Sequence, residues 1–301
     1  GDPVHGWLVL DKPLGMTSTA AVAAVKRLFN AAKAGHAGTL DPLATGVLPI
    51  ALGEATKTVS FVMDGAKAYR FTVRWGEATN TDDSEGEVVE RSGERPTRVA
   101  IEAALGQFTG TIVQVPPQFS AIKLAGERAY DIARDGETVD LAPRNVEVNS
   151  LRLVEVPDRD HAEFEAECGK GTYVRAIARD LGRVLGCFGH VTALRRTIVG
   201  PFGADHMIPL EKLEALRNKG AGQEALKECL LPVETALDDI PALAVGSAEA
   251  ARLKQGQSVI VRGRDAPLNQ DSVLVVWRGQ PIALASLSQG AIKPTRVFNL
   301  T

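Results

Sequence analysis

The clearest pattern along the chain is alternation of apolar and polar residues, which is typical of half-buried β-strands. Residues 67–75 place Tyr69, Phe71 and Val73 on one face, whereas Arg70 and Thr72 lie on the other. Related patterns predict further strands at 6–10, 111–115, 146–156, 161–168 and 190–198. Residues 146–156 and 161–168 are expected to pair as an antiparallel hairpin, and the apolar run at 47–52 predicts a buried strand.

Helical spacing appears between these strands. Thr17 or Ser18 is expected to cap a helix that buries Val25 and Phe29 and ends at Gly35. Further helices are predicted after Thr97, after residue 172, and at 54–63, 209–218 and 223–231. Residues 79–86 are polar and acidic, and they predict an exposed, mobile connection. Strands and helices mixed in this way indicate an α+β fold.

The end of the chain differs from the rest in pattern and in charge. Residues 240–301 combine one predicted helix with several short strands, so we predict two domains, 1–239 and 240–301, the second a small β-rich module. The whole chain has a net charge of -3, yet this module carries seven basic and three acidic residues. A basic module joined to an acidic body favours a contact with RNA.

Composition excludes several classes of protein. The three cysteines are widely spaced and form no Cys-x-x-Cys pair, which predicts neither a zinc site nor a disulfide framework and suits a reducing cytoplasm. No apolar run reaches the length that crosses a membrane, and no secretory leader is visible. No nucleotide or metal motif is present, so no cofactor and no metal is expected.

Residues 35–49 form the segment most suggestive of chemistry. Three glycines and two prolines predict a tight loop that enters the core, and the loop carries His36 and Asp41. An ordinary turn containing an Asp would show the same residue types. We therefore treat the segment as a candidate active-site loop.

Two other segments are candidates for binding. Basic and aromatic residues interleave at 118–145, which predicts either a solvated excursion or an insertion that grips RNA. Residues 169–175 predict a helix N-terminus, a natural anion site. Arg175 in its first turn opposes the helix dipole, so a purely structural role for this side chain is disfavoured.

Several motifs together resemble one family. Residues 35–46 (GHAGTLDPLATG) resemble the catalytic signature of the TruB family of tRNA pseudouridine synthases. The resemblance extends, in order along the chain, to residues 10–13, 67–69, 170–175 and 194–197. Residues 253–257 and 293–298 are similar to a PUA RNA-binding domain. The resemblance covers essentially the whole chain and implies a catalytic domain built on a mixed, largely antiparallel sheet flanked by helices.

The resemblance also implies the reaction: uridine in the T-loop of tRNA, conventionally numbered 55, is isomerised to pseudouridine. By position, Asp41 is the nucleophile and Arg175 its ion-pair partner, which keeps the carboxylate ionised and aimed. Tyr69 lies against the base and removes the C5 proton. Attack at C1′ and a glycal route that begins at the 2′ proton both stay open.

The same matches imply that RNA passes close to the backbone at the glycines of residues 35–46. They also imply residues that bind the substrate. Tyr69, Tyr173 and the backbone of Leu194 line the uracil pocket, and His36 contacts the T-loop or fills space in it. Lys12 contacts a phosphate or buttresses the site. Plainer interpretations also fit: Tyr69 as a core residue, His36 as a loop histidine bonded to backbone, and Lys12 as a solvated turn lysine.

The implied partner is tRNA, bound by a cytoplasmic monomer that needs no obligate protein partner and no membrane. One rival interpretation is a relative that depends on a guide RNA and works within a multi-protein particle. Another is an RNA-binding protein that assists tRNA folding without catalysis.

Overall fold

The computed structural model describes residues 1–118, 123–124, 127–128, 141–261 and 269–300. In this part of the chain, ten strands form one mixed sheet in which two pairings are parallel and the others antiparallel. Its strands are β1 (Gly6–Lys12), β2 (Ala34–His36), β3 (Ala44–Leu52), β4 (Lys67–Trp75), β7 (Gly110–Gln114), β10 (Arg144–Asp158), β11 (His161–Cys168), β12 (Gly189–Val199), β13 (Phe202–Gly203) and β14 (Ile208–Pro209). Two separate hairpins are formed by β5 (Glu77–Thr79) with β6 (Val88–Arg91) and by β8 (Lys123–Leu124) with β9 (Glu127–Arg128). The order along the ten-stranded sheet is β14-β1-β3-β12-β4-β11-β10-β7, with β2 beside β3 and β13 beside β12.

Helices flank the sheet, as the α+β prediction requires. They are α1 (Ser18–Phe29), α2 (Val59–Met63), α3 (Arg98–Ala104), α4 (Val174–Val184), α5 (Leu210–Arg217) and α6 (Gly222–Lys227). One more helix, α7 (Ser247–Lys254), belongs to the C-terminal module. The Thr17 hydroxyl accepts a hydrogen bond from the amide of Ala20 and caps α1. The helix ends at Phe29 because Asn30 adopts a left-handed conformation (φ 50°), so the prediction that Gly35 ends it is wrong.

Helix α4 packs on the centre of the sheet and fixes the strands that carry the site. Its Ile177 and Leu181 share a buried cluster with Phe71, Phe164 and Trp75 from β4 and β11. The rings of Phe71 and Phe164 stack with centroids 5.4 Å apart. This buried layer packs β4, the strand that carries Tyr69, against α4.

The acidic segment 79–86 is folded against the body of the protein. Asp82 and Asp83 are only 8% and 3% exposed. Backbone hydrogen bonds join the segment to β12, from Val191 N to Asp82 O and from Ser84 N to Val191 O. The prediction of an exposed connection is therefore wrong for residues 79 and 81–83, because the Asp82 and Asp83 carboxylates have arginine partners on α4. It is confirmed for residues 80, 84 and 85, which are exposed.

Residues 242–297 build a second, five-stranded sheet with the order β15-β17-β18-β19-β16. Its strands are β15 (Ala242–Ala244), β16 (Val259–Ile260), β17 (Gln270–Trp277), β18 (Gln280–Ser288) and β19 (Ala291–Val297). The predicted β-rich C-terminal module is thus confirmed, although β15 and β19 were not expected. The exact boundary at 239/240 stays a prediction.

The second sheet packs on the first domain. Leu274, Leu284 and Phe298 belong to the same buried cluster as Val62 and Phe202. Polar contacts add to this cluster, since Lys57 Nζ donates to Val297 O at 2.8 Å and the Asn299 amide donates to the Glu54 carboxylate. Of the proposed insertion at 118–145, residues 119–122, 125–126 and 129–140 lie outside the described residues.

Candidate active site

One pocket brings together residues from four distant parts of the chain. Five of the predicted site residues line it: Asp41, Tyr69, Tyr173, Arg175 and Leu194. The full lining comprises Thr39, Leu40, Asp41, Ala44, Tyr69, Thr172, Tyr173, Val174, Arg175 and Leu194. Among these described residues, Asp41 alone carries a carboxylate.

Strand β12 assembles this pocket because it lies between β3 and β4. Leu194 pairs in parallel with Ala44 on one side and antiparallel with Phe71 on the other. The segment 37–43 therefore enters the pocket from the β3 side, and Tyr69 enters from the β4 side. Helix α4 supplies Arg175 from its first turn.

The backbone around Asp41 is fixed by hydrogen bonds. The Ser18 hydroxyl at the start of α1 donates to Leu40 O at 2.9 Å and accepts from Leu40 N at 2.8 Å. The Gly15 amide donates to Pro42 O at 2.8 Å, and the Ala44 amide donates to Asp41 O at 2.9 Å. The Asp41 side chain projects from this anchored loop and is 34% exposed, so it can be reached from the pocket.

The loop glycines make room for Arg196 of β12. Gly46 has φ +101°, and a Cβ there would lie 2.1 Å from the carbonyl oxygen of Arg196. Gly38 has φ +103°, and a Cβ there would lie 3.3 Å from Arg196 Nη1. We attributed these glycines to RNA that passes close to the backbone; for Gly38 and Gly46 that interpretation is wrong, because the close neighbour is the protein itself.

Arg175 is buried between two carboxylates. Its Nη2 lies 3.4 Å from Asp41 Oδ2, its Nη1 lies 3.8 Å from Asp83 Oδ2, and the same Nη1 donates to Thr81 O at 3.0 Å. The expected Asp41–Arg175 pair is therefore an ion pair in the structure. The contact with Asp83 was missed, although arginines at 175 and 179 on one helix face indicate that acidic partners lie nearby.

Further contacts hold the first turn of α4. Gln114, which is 1% exposed, donates from Nε2 to Tyr173 O at 3.2 Å and accepts from Tyr173 N at 3.0 Å. Arg179 donates to Val115 O at 2.7 Å and lies 3.3 Å from Asp82 Oδ2. The end of β7 and the acidic segment thus fix the position of Arg175.

Tyr69 is half-buried, and its hydroxyl faces the buried guanidinium of Arg196. Burial raises the pKa of Tyr69, whereas the charge of Arg196 and a side-chain hydrogen bond between the two groups act in the opposite direction. The neighbouring Cys168 and Asp41 raise the pKa of Tyr69 further. The net effect is a pKa of Tyr69 above its usual value, and Arg196 is the neighbour that acts against this rise.

Lys12 and His36 do not line the pocket. Lys12 is 0% exposed, and its amine donates to Pro13 O at 2.8 Å and to Met16 O at 2.7 Å. Burial lowers the pKa of Lys12 to about 8, against the opposing charges of Asp41 and Glu85. The solvated-turn interpretation is wrong. His36 is half-buried in β2 and pairs with Ile50, and its contact with substrate stays a prediction, as does that of Lys12.

The described residues contain no cluster of His, Cys, Asp or Glu that could hold a metal ion. None of the helices that the structure describes is long and apolar enough to cross a membrane.

Comparisons with known proteins match this sequence and this fold. The model of the TruB family pseudouridylate synthase N-terminal domain matches residues 26–174, and that of the tRNA pseudouridylate synthase B C-terminal domain matches residues 175–238. A tRNA pseudouridine synthase B from Bradyrhizobium diazoefficiens is 67% identical over 99% of this chain and 87% of the relative. Another from Agrobacterium fabrum is 57% identical over 99% of this chain and 96% of the relative.

A solved structure shares the fold over the same length. The crystal structure of the archaeal box H/ACA sRNP Nop10–Cbf5 complex has a chain that matches with a TM-score of 0.75 and 25% identity, over 99% of this chain and 87% of that one. The family models and the fold define the class of pseudouridine synthases, which are isomerases. Within that class, the chain belongs to the TruB family.

Proposed function

We propose that the protein converts uridine 55 in the T-loop of tRNA to pseudouridine, without a protein partner and with Asp41 as the nucleophile. The observation that carries this proposal is the pocket in which Asp41, held by Arg175, faces Tyr69. The name shared by the relatives, tRNA pseudouridine synthase B, supports tRNA as the substrate.

The reaction breaks the N1–C1′ bond, turns the base, and joins C5 to C1′. An ionised carboxylate can begin it in two ways, by attack at C1′ or by removal of the 2′ proton, and Asp41 is suited to either. Arg175 contributes by fixing the carboxylate: its guanidinium is itself held by Thr81 O and Asp83, so Asp41 is oriented by a buried and anchored cation.

After the C5–C1′ bond has formed, C5 carries both the ribose and its original hydrogen. Its proton passes to the Tyr69 phenolate oxygen, the C–H electron pair forms the C5=C6 double bond, and the former C6=N1 pair moves to N1, which takes up a proton from water. Tyr69 also offers an aromatic face to the base, while Tyr173 and Leu194 close the sides of the pocket. Each of these roles depends on a uracil that lies within the same pocket as Asp41.

Uridine 55 must leave the folded T-loop to reach the pocket, which costs a few kcal/mol. Phosphate contacts from the basic C-terminal module would offset this cost. We propose that the protein acts as a monomer in the cytoplasm, where it meets tRNA directly; the archaeal structure, by contrast, is of a complex with Nop10.

The test is to incubate the purified protein with a tRNA transcript labelled with tritium at uridine C5. Release of tritium is expected without added protein or guide RNA, and a transcript with cytidine at position 55 should release none. Asp41→Asn should bind tRNA with unchanged affinity and release nothing, because an amide cannot act as the nucleophile.

Two outcomes would contradict this proposal. Release that requires a guide RNA would favour the particle-bound rival. Turnover by Asp41→Asn within tenfold of the wild type would remove Asp41 from the chemistry. Assistance with tRNA folding that survives in Asp41→Asn would show a second role, separate from catalysis.

A further inference from the structure

Arg196 is a buried arginine that the reaction as described above does not use. It is 2% exposed and lies in β12, two residues after Leu194. Its Nε donates to Val47 O at 2.9 Å, its Nη2 donates to Gly38 O at 3.0 Å, and its Nη1 lies 3.5 Å from Thr39 O. The guanidinium therefore binds the backbone on both sides of Asp41.

The strand register places the same residue beside Tyr69. Arg196 pairs with Gly46 of β3 on one edge and with Tyr69 of β4 on the other. A guanidinium has five N–H donors, and the three loop carbonyls use three of them. Two donors remain, and Tyr69 is the neighbour of Arg196 across the β12–β4 pairing, where the charge of Arg196 lowers the pKa of the phenol. One side chain thus binds the nucleophile's loop and lies beside the tyrosine.

The surroundings of Arg196 are unusual for a buried cation. Among the ion pairs within the described ranges, none includes Arg196. Lys12 and Lys67 add positive charge nearby. A buried cation without a carboxylate partner is costly, and it favours the anionic form of a neighbouring acid. The neighbouring acid here is the phenol of Tyr69.

We propose that Arg196 is a positioning residue for the isomerisation: it holds the backbone on both sides of Asp41 and, from the neighbouring strand, orients Tyr69, whose oxygen accepts the C5 proton. This role rests on the proposed function, in which Tyr69 removes that proton. The hydroxyl proton of Tyr69 leaves first, to water. The C5 proton then passes to the phenolate oxygen, which becomes the phenol again.

The test compares Arg196→Lys with Arg70→Lys on tRNA that carries hydrogen or deuterium at uridine C5. Arg70 neighbours Tyr69 on β4, but it is exposed and pairs with Glu163. Arg196→Lys should lower kcat by about 100-fold, the scale of a lost general base, and leave KM for tRNA within a few-fold. Because C5–H cleavage becomes rate-limiting, the deuterium isotope effect on kcat should rise towards a full primary value. Arg70→Lys should change neither kcat nor the isotope effect.

Two results separate this inference from the proposed function. If Tyr69→Phe turns over as the wild type does, Tyr69 is not the base, and the proposed function of that residue fails. If Tyr69→Phe is impaired, but Arg196→Lys lowers kcat by the same factor in both backgrounds, Arg196 does not act through the hydroxyl.

An isotope effect that stays at the wild-type value in Arg196→Lys would also overturn the role, because a merely structural defect lowers kcat without exposing C5–H cleavage. Should Arg196→Lys fail to fold, Arg196→Gln replaces it. Gln keeps an N–H donor for the loop carbonyls and removes the charge, so the same rise in the isotope effect is expected.

Discussion

Arg175 contacts the other charged groups of the site, because its planar guanidinium lies close to three acceptors. Asp41, Asp83 and Thr81 O all lie within 3.8 Å of its terminal nitrogens. A rigid fork can serve these partners together, whereas an ammonium group is a single point on a flexible chain. The identity of this residue therefore matters as much as its charge.

We predict that Arg175→Lys lowers kcat about 100-fold, because a shift of about 1 Å in the carboxylate costs that much. Single-turnover tritium release measures the effect. The matched control is Arg183→Lys in the last turn of the same helix, where the arginine is 64% exposed and pairs with Asp180. Turnover of Arg175→Lys close to the wild-type value would contradict the prediction.

The buried amine of Lys12 is expected to make the stability of the protein depend on pH. Its pKa falls from 10.5 in the unfolded chain to about 8 in the folded protein because burial disfavours the charge. Below about pH 8 both states hold the proton, and the folded state bears the full cost of the buried charge. Between about pH 8 and 10.5 the unfolded chain holds more protons than the folded protein does, so the free energy of unfolding rises as the pH rises.

Lys12→Met removes this titration. The free energy of unfolding of the wild type minus that of Lys12→Met should rise across this window, by at most about 1.4 kcal/mol per pH unit. Urea denaturation of both proteins at several pH values measures the difference. Other groups that titrate in the window cancel between the two proteins, so a flat difference would refute the assignment.

At the scale of residues, the sequence predicted five residues that line the pocket, but it did not predict Asp83 and Arg196, which hold the pocket in place. Asp41, Tyr69, Tyr173, Arg175 and Leu194 were found because they lie in recognisable motifs, and they do line one pocket. Asp83 and Arg196 were missed because their importance depends on contacts over long sequence separations. A sequence pattern does not show that an acidic, polar segment is buried by ion pairs with a helix.

At the scale of elements, the site depends on how closely β3 approaches β12. Gly46 is required there because the Arg196 carbonyl lies where a Cβ would be. Gly35 belongs to the same predicted loop, yet a Cβ there would have nothing within 4 Å. A side chain at position 46 would therefore clash with β12, whereas a side chain at position 35 would not meet a neighbour.

Gly46→Ala should lower the free energy of unfolding by at least about 2 kcal/mol, from backbone strain and from the clash with β12. It should also lower kcat, because β12 carries Leu194 and Arg196. Gly35→Ala is the control and should change both quantities little. Urea denaturation and tritium release provide the two measurements, and equal stability of the two variants would contradict the argument.

Most elements could be predicted because alternation and helical spacing depend on local burial. Strands β4, β7, β10, β11 and β12 all lie close to their predicted ranges. The failures have physical reasons. Asn30 ends α1 through a left-handed conformation that its neighbours do not reveal, and β19 contains Lys293 and Pro294, which conceal a strand in the pattern.

At the scale of the whole molecule, the two sheets share a core. Phe298, which is 4% exposed, is buried with Val62 and Phe202 of the first domain. Phe298→Ala should therefore destabilise the whole protein by about 3 to 5 kcal/mol. Ile260→Ala in the same module is the control, since Ile260 is 66% exposed.

Calorimetry of both variants checks this prediction. A single transition that moves to lower temperature in Phe298→Ala is expected, because loss of the shared core weakens both sheets at once. Early melting of the C-terminal module alone, with the main transition unchanged, would show that the contact does not couple the two domains.

The pairing of β12 with β3 has a consequence for the order of folding. Arg195 and Thr45, which lie across this pairing, are 150 residues apart in sequence. Closing a loop of that length costs about 4 to 5 kcal/mol of chain entropy. The N-terminal strands can form while the ribosome is still synthesising the middle of the chain, but a nascent chain has no complete pocket before residue 199 has emerged. Each new molecule therefore completes this pocket only after β12 has left the ribosome.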